Sequence, residues 1–197
     1  MLNVQTYIDS IKLKLFTTNS KLKKDGIYKF SLPMVKSCPG AGSCKAICYY
    51  RKFYRMYPNV SKSHQNNLSL TKLPQWWIPA ISEIDKRKIK VLRWHDSGDI
   101  YSQNYLNDLY IIALNTSDTK HYFYTKSLHL DFTEISQLPN VYIIQSFGGK
   151  YDHLINLSLP HSRVFNTKEE CIHAGYTDCT DSDLRALTTV KIGLIKH

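Results

Sequence analysis

From residue 89 onward the chain repeats one pattern: a short apolar run, a polar loop, then a stretch of helical period. Ile89 to Trp94 reads as a strand and ends in His95-Asp96-Ser97-Gly98-Asp99. Gln103 to Asn115 follows as a helix whose apolar positions are Tyr105, Leu106, Leu109, Ile112 and Ala113. Tyr122 to Thr125 is the next strand and stops at Lys126 and Ser127; Val141 to Gln145 stops at Ser146-Phe147-Gly148-Gly149. Arg163 to Phe165 is a further short strand, Lys168 to Ala174 a helical turn closed by Gly175, and Val190 to Ile195 the last strand. Counting Ile27 to Leu32 upstream, about six strands alternate with helices, which means βαβ units and a parallel sheet. The expected fold is a single α/β domain over 1–197, a partial (β/α)6 barrel of mostly parallel strands. Such proteins place their sites beyond the C-terminal ends of the strands, where this chain puts its polar and glycine residues.

The first strand runs into Cys38-Pro39-Gly40-Ala41-Gly42-Ser43-Cys44-Lys45-Ala46-Ile47-Cys48. Three cysteines within eleven residues, with two glycines that let the backbone turn back, suit a nest of thiolates. Cys38, Cys44 and Cys48 are the candidate metal ligands, for an iron–sulfur cluster or, as the alternative, zinc. Three ligands leave one position of a four-coordinate site open for a substrate or cofactor. The competing reading is ordinary reduced thiols in a loop. Five cysteines in all, an odd number, argue against a disulfide framework, and Cys171 and Cys179 read as structural or incidental.

Residues 1–26 read as an amphipathic helix over Met1 to Lys14 and a basic loop over Thr17 to Gly26. Residues 27–90 hold the first strand, the cysteine loop and basic helices over Ala46 to Tyr57, Val60 to Leu73 and Pro74 to Ile84. Residues 91–197 hold the remaining βα units. Charge divides along the same line. Residues 1–90 carry 17 Lys and Arg against 4 Asp and Glu, a net +13, with every cation in 12–90; residues 91–197 carry 9 against 12, a net −3. The basic half suits nucleic acid or an acidic host protein, against the plainer reading of a solvated lysine surface. Tyr49, Tyr50, Phe53, Tyr54 and Tyr57 read first as core, with base stacking as the second role. No apolar run is long enough to span a membrane, and the first twenty residues lack a signal-peptide core, so the expected location is cytoplasmic.

Taken together, Ser37 to Cys44 with Cys48-Tyr49, Tyr57-Pro58-Asn59-Val60, Asn67-Leu68, Arg93 to Asp99, Tyr124-Thr125-Lys126-Ser127, Ser146 to Gly149 and Lys191 to Ile195 resemble the phage "gene product 88" domain family. The resemblance covers roughly residues 15–197, and the cysteine motif and the His-Asp-Ser-Gly-Asp loop are its specific parts. That family is in turn similar to the radical S-adenosylmethionine (SAM) enzymes, which have a partial (β/α)6 barrel and three cysteines after the first strand. Their usual spacing is Cys-x3-Cys-x2-Cys; here it is Cys-x5-Cys-x3-Cys. The resemblance implies a phage or mobile-element protein carrying a 4Fe-4S cluster on Cys38, Cys44 and Cys48. It also implies SAM held by the strand-end loops. Ser97, Gly98 and Asp99 would approach it, Asp99 accepting from its ammonium or a ribose hydroxyl; capping of the next helix is the other reading of Asp99. Arg93 and His95 would both point into the barrel, and Lys126 would meet a carboxylate or phosphate. Ser146 and Gly148 line another loop, where Gly148 and Gly149 give a weak phosphate-nest signal. Cys171 with His173 could add a fourth ligand. Arg93, Asp96, Asp99 and Lys126 could instead only satisfy one another. The substrate stays open. The alternative class is a non-enzymatic, metal-stapled binding protein.

Overall fold

Seven strands form one all-parallel sheet in the computed structural model, which describes residues 3–10, 14–46 and 48–196. The strands are β1 Ile27–Phe30, β2 Val91–Trp94, β3 Lys120–Thr125, β4 Val141–Ser146, β5 His161–Phe165, β6 Thr177–Asp178 and β7 Lys191–Ile195. Their order is β1-β2-β3-β4-β5-β7-β6, so β1 and β6 are the two edge strands, β1 bridged on its outer side by Thr17, and the sheet is not closed. Five strands run in sequence order, each parallel to its predecessor, and β7 inserts between β5 and β6. The two-residue β6 carries no alternating pattern, which is why the sequence shows only six strands.

The helices are α1 Val4–Ser10, α2 Ser20–Lys24, α3 Tyr50–Met56, α4 Pro58–Leu70, α5 Trp77–Arg87, α6 Gln103–Leu114 and α7 Lys168–His173. Three differ from expectation. Residues 17–26 are not all loop, because the Asn19 side chain accepts from Leu22 N and caps α2, burying Leu22. The helix expected over Ala46 to Tyr57 begins only at Tyr50, as α3, and a 3-10 turn, Ser43–Lys45, stands before it. Pro58 does not merely end α3; it opens α4 at the first-turn position where its missing N–H costs nothing. Residues 11–13 of the N-terminal helix expectation lie outside the described residues.

Alternation along the strands sorts side chains onto two faces. Phe30, Leu92, Trp94 and Phe123 face the helices, packing with Trp76 and Ile84 of the α5 region and with Tyr105, Leu106, Leu109 and Ile112 of α6. Phe30, Trp76 and Tyr105 stack in series with ring centroids 5.7 Å apart at each step. The opposite face is smaller: Ile27, Tyr122, Ile144 and Ile192 pack under Leu22, Cys179 and Ala186. It also holds charge. In register across four strands stand Lys29, Arg93, Tyr122 and Tyr142. Asp183 accepts from Arg93 at 2.6 Å, Tyr122 at 2.9 Å and Lys21 at 2.8 Å; Asp96 pairs with Lys29 and Ser31. Among the described residues, no helix is long and apolar enough to cross a membrane.

Candidate strand-end site

The loops following β1 to β4 meet at the C-terminal edge of the sheet, and the cysteine loop lies across the other three. Backbone bonds tie it to the loops after β2 and β4, and close packing holds it against the loop after β3. Asp99 N donates to Ser37 O at 3.1 Å, Lys150 N donates to Gly40 O at 2.8 Å, and Ala41 bridges Gly149 in antiparallel fashion. Glycine is needed where the loops touch. A Cβ on Gly40 would fall 2.0 Å from Lys126 O, and one on Gly42 2.9 Å from Gly148 O. Gly98 lies at φ +85° against Leu32 and Ser37. The glycines of these two motifs thus have one physical reason: they let the loops approach closer than a side chain would allow.

Cys38, Cys44 and Cys48 are half-buried free thiols on this loop. The Cys38 thiol is pushed up to about 12, first by burial, then by Asp99, and in part by Cys48 and Cys44 themselves. Among the described residues, no group of three or more His, Cys, Asp and Glu stands at metal-ligand spacing. The donor set fits a thiophilic metal in kind, three unpaired thiols on one glycine-hinged loop, without being drawn to ligation distance. Arg51 clasps the second half of the loop by donating from Nε and Nη2 to Lys45 O, at 3.1 and 2.9 Å.

The residues expected to hold a ligand divide into two groups. Asp99 is buried and fully engaged: Oδ1 accepts from Ile100 N and Thr125 Oγ1, and Oδ2 from Lys126 N, at 2.7 to 2.8 Å. Burial raises its pKa against those three donors. It pins the β3 end rather than capping α6, whose cap is Ser102. Arg93 and His95 do not share a face. The strand ends at Trp94, His95 takes φ +65°, and its ring turns to the helices, Nε2 meeting Tyr105 OH at 2.8 Å. Arg93 points the other way, to Asp183 and over the Tyr124 ring. The Gly148–Gly149 nest is filled from within, because both N–H groups donate to Asp152 at 2.9 and 2.8 Å.

Lys126 and Ser146 remain. Lys126 Nζ reaches Ser146 Oγ at 2.5 Å and, among the described residues, pairs with no carboxylate. Ser127 Oγ, beside Lys126 on the same loop, and Ser97 Oγ, on the loop after β2, are buried and have no hydrogen-bond partner among the described residues. A half-buried ammonium beside a hydroxyl suits a carboxylate or phosphate. Cavities of about 410 Å³, beside Gln103 and Tyr110, and about 870 Å³, beside Pro74 and Ile78, lie among the helices instead.

Asp183 and Asp152 were not apparent as site residues from sequence. Asp152 follows Gly149 by three positions, a spacing that signals a side-chain cap on a glycine turn; Asp183 meets Arg93 across ninety residues and leaves no local signal. Cys171 and Cys179 are core: Cys171 Sγ faces Tyr176 O, and a Cβ on Gly193 would fall 2.1 Å from that sulfur. His173 is exposed, and with Cys171 it joins no metal-binding group among the described residues.

A family model described as "Gene product 88" matches residues 11–194. No curated protein and no solved structure matches the chain.

Proposed function

The chain belongs to the gene product 88 family, and on that premise we propose that it is a phage or mobile-element iron–sulfur protein with radical-SAM-like architecture. Cys38, Cys44 and Cys48 hold the cluster, and SAM is the candidate ligand beside it. One observation carries this reading. A loop bearing three unpaired thiols is clamped over the C-terminal ends of parallel strands, the edge where open α/β sheets bind ligands. The sequential order of β1 to β5 supports the partial-barrel part of the reading.

A three-thiolate 4Fe-4S cluster keeps one iron free of protein ligands and supplies single electrons to a molecule bound there. The chain's own residues do the rest. Lys126, steadied by Ser146, takes the ligand's carboxylate, and the Ser97 hydroxyl lies on the flanking loop. Asp99 acts through the backbone, setting where Lys126 stands.

The test is iron and acid-labile sulfide content, with an absorption spectrum, on protein purified without oxygen. About four of each per chain, lost together in Cys44→Ala, are expected for a 4Fe-4S centre. One zinc without sulfide overturns the iron–sulfur reading and leaves a metal-stapled module. For the SAM part, the reduced holoprotein should release 5′-deoxyadenosine, and Lys126→Met should weaken SAM binding while the cluster stays. Loaded protein that binds no SAM removes that part alone.

A further inference from the structure

The helix that follows the thiol loop exposes a row of aromatic rings. Tyr49, Phe53 and Tyr57, spaced four apart on one side of α3, are 55%, 45% and 50% exposed, and Met56 beside them is 56% exposed. The rings run in contact, Tyr49 to Phe53 at 6.0 Å and Phe53 to Tyr57 at 6.1 Å between centroids. Tyr50 supports them from below, 5.6 Å from Phe53, so the row is rigid rather than loosely displayed. Such a surface is expensive to leave in water.

Its electrostatics are one-sided. From Gly26 to Ser82 the chain has eight Lys and Arg and no Asp or Glu. Three of these cations, Arg51, Lys52 and Arg55, stand exposed on α3, Lys52 flanking the ring row and Arg51 and Arg55 further round the helix, and among the described residues none is paired with a carboxylate. Protein–protein interfaces also favour aromatic rings, Met and Arg; what favours a polyanion here is a segment, Gly26 to Ser82, that carries eight cations and no acid. A ring row flanked by cations without carboxylate partners suits a single strand, whose bases stack on the rings while its phosphates meet the cations.

We propose that α3 is a single-stranded nucleic-acid-binding platform built from Tyr49, Phe53 and Tyr57 with Arg51, Lys52 and Arg55. It stands independently of the metal reading. α3 begins two residues after Cys48, so a strand seated on it runs past the thiol loop.

The test is fluorescence anisotropy of the full chain with labelled single-stranded DNA and RNA of about 12 nucleotides, across a salt series. Phe53→Ala and Tyr57→Ala should each weaken binding about tenfold, the loss of one stacked base. Lys52→Ala with Arg55→Ala should lower the slope of log affinity against log salt by about 0.7 for each phosphate left without its cation. Lys88→Ala with Lys90→Ala, distant cations of the same half, should change little. Circular dichroism of each variant confirms that the fold is intact. Binding that ignores both ring variants, equal competition by duplex DNA, or binding only to an acidic polypeptide overturns the proposal.

Discussion

Gly40→Ala tests whether the thiol loop is truly clamped to the strand ends. The added methyl would lie 2.0 Å from Lys126 O, 2.5 Å from Lys126 C and 2.9 Å from Ser127 N. All three are backbone atoms, and Lys126 N is itself held by Asp99, so no flexible side chain can swing aside. The loop must back away, breaking Lys150 N to Gly40 O and the Ala41–Gly149 bridge. Overpacking of this kind costs about 1–3 kcal/mol, and the absence of give places Gly40 at the upper end. At about 2–4 °C per kcal/mol for a chain of this size, melting should fall by roughly 6–12 °C. A second readout separates local from global damage: Cys38, half-buried on the loop, should react faster with a thiol reagent in the variant. The control is Gly175→Ala, where φ is +74° with open space around, so only backbone strain of about 1 kcal/mol applies. If Gly40→Ala melts like the parent and Cys38 reacts no faster, the clamp is refuted.

Other outcomes follow from the buried charges and imidazoles. Asp183→Ala removes the carboxylate that pairs with Arg93 and should cost about 3–5 kcal/mol in urea unfolding, while adding Arg93→Met should recover most of it. Burial pushes His95 and His121 down to about 3 and His64 to about 4, against about 6.5 when unfolded. Below pH 6.5 the unfolded chain takes up protons that the folded chain refuses. Stability is therefore full above pH 6.5 and is lost as pH falls toward 3, by about 1 kcal/mol per imidazole at pH 5.5. Urea midpoints at pH 7.5 and 5.5 check this; equal midpoints would show that the imidazoles are not held neutral. Asp99→Asn keeps the side chain's size but weakens three bonds, and should cost about 1–3 kcal/mol while raising Cys38 reactivity.

Much of this architecture is written locally. The βα rhythm pointed to the parallel sheet, because period-2 runs and helical periods differ within a few residues. The cysteine loop fell at a strand end because Ile27–Phe30 leads directly into it. What stayed hidden depends on distant partners or single torsions. Arg93 and His95 are two apart, so alternation puts them on one face, yet one left-handed residue sends His95 to Tyr105. Asp99 looked like a ligand because its three donors come from its own loop and from the end of β3, twenty-six residues on. The exposure of α3 was also invisible: a run of five aromatics from Tyr49 to Tyr57 predicts burial, and only Tyr50 is fully buried.

The strap formed by residues 37–42 has a consequence for the order of assembly. Its anchors are Ser37 to Asp99, Gly40 to Lys126, and Ala41 to Gly149, the last held in turn by Asp152. A nascent chain that has made the thiols cannot seat them until more than a hundred further residues have emerged and four strands have paired in order. These pairings are among the most distant in sequence, so they close late. Loading of the thiol loop thus serves as a check on completeness. A chain truncated before Asp152, or misregistered at β4, keeps its cysteines unseated, and only a finished sheet presents them together.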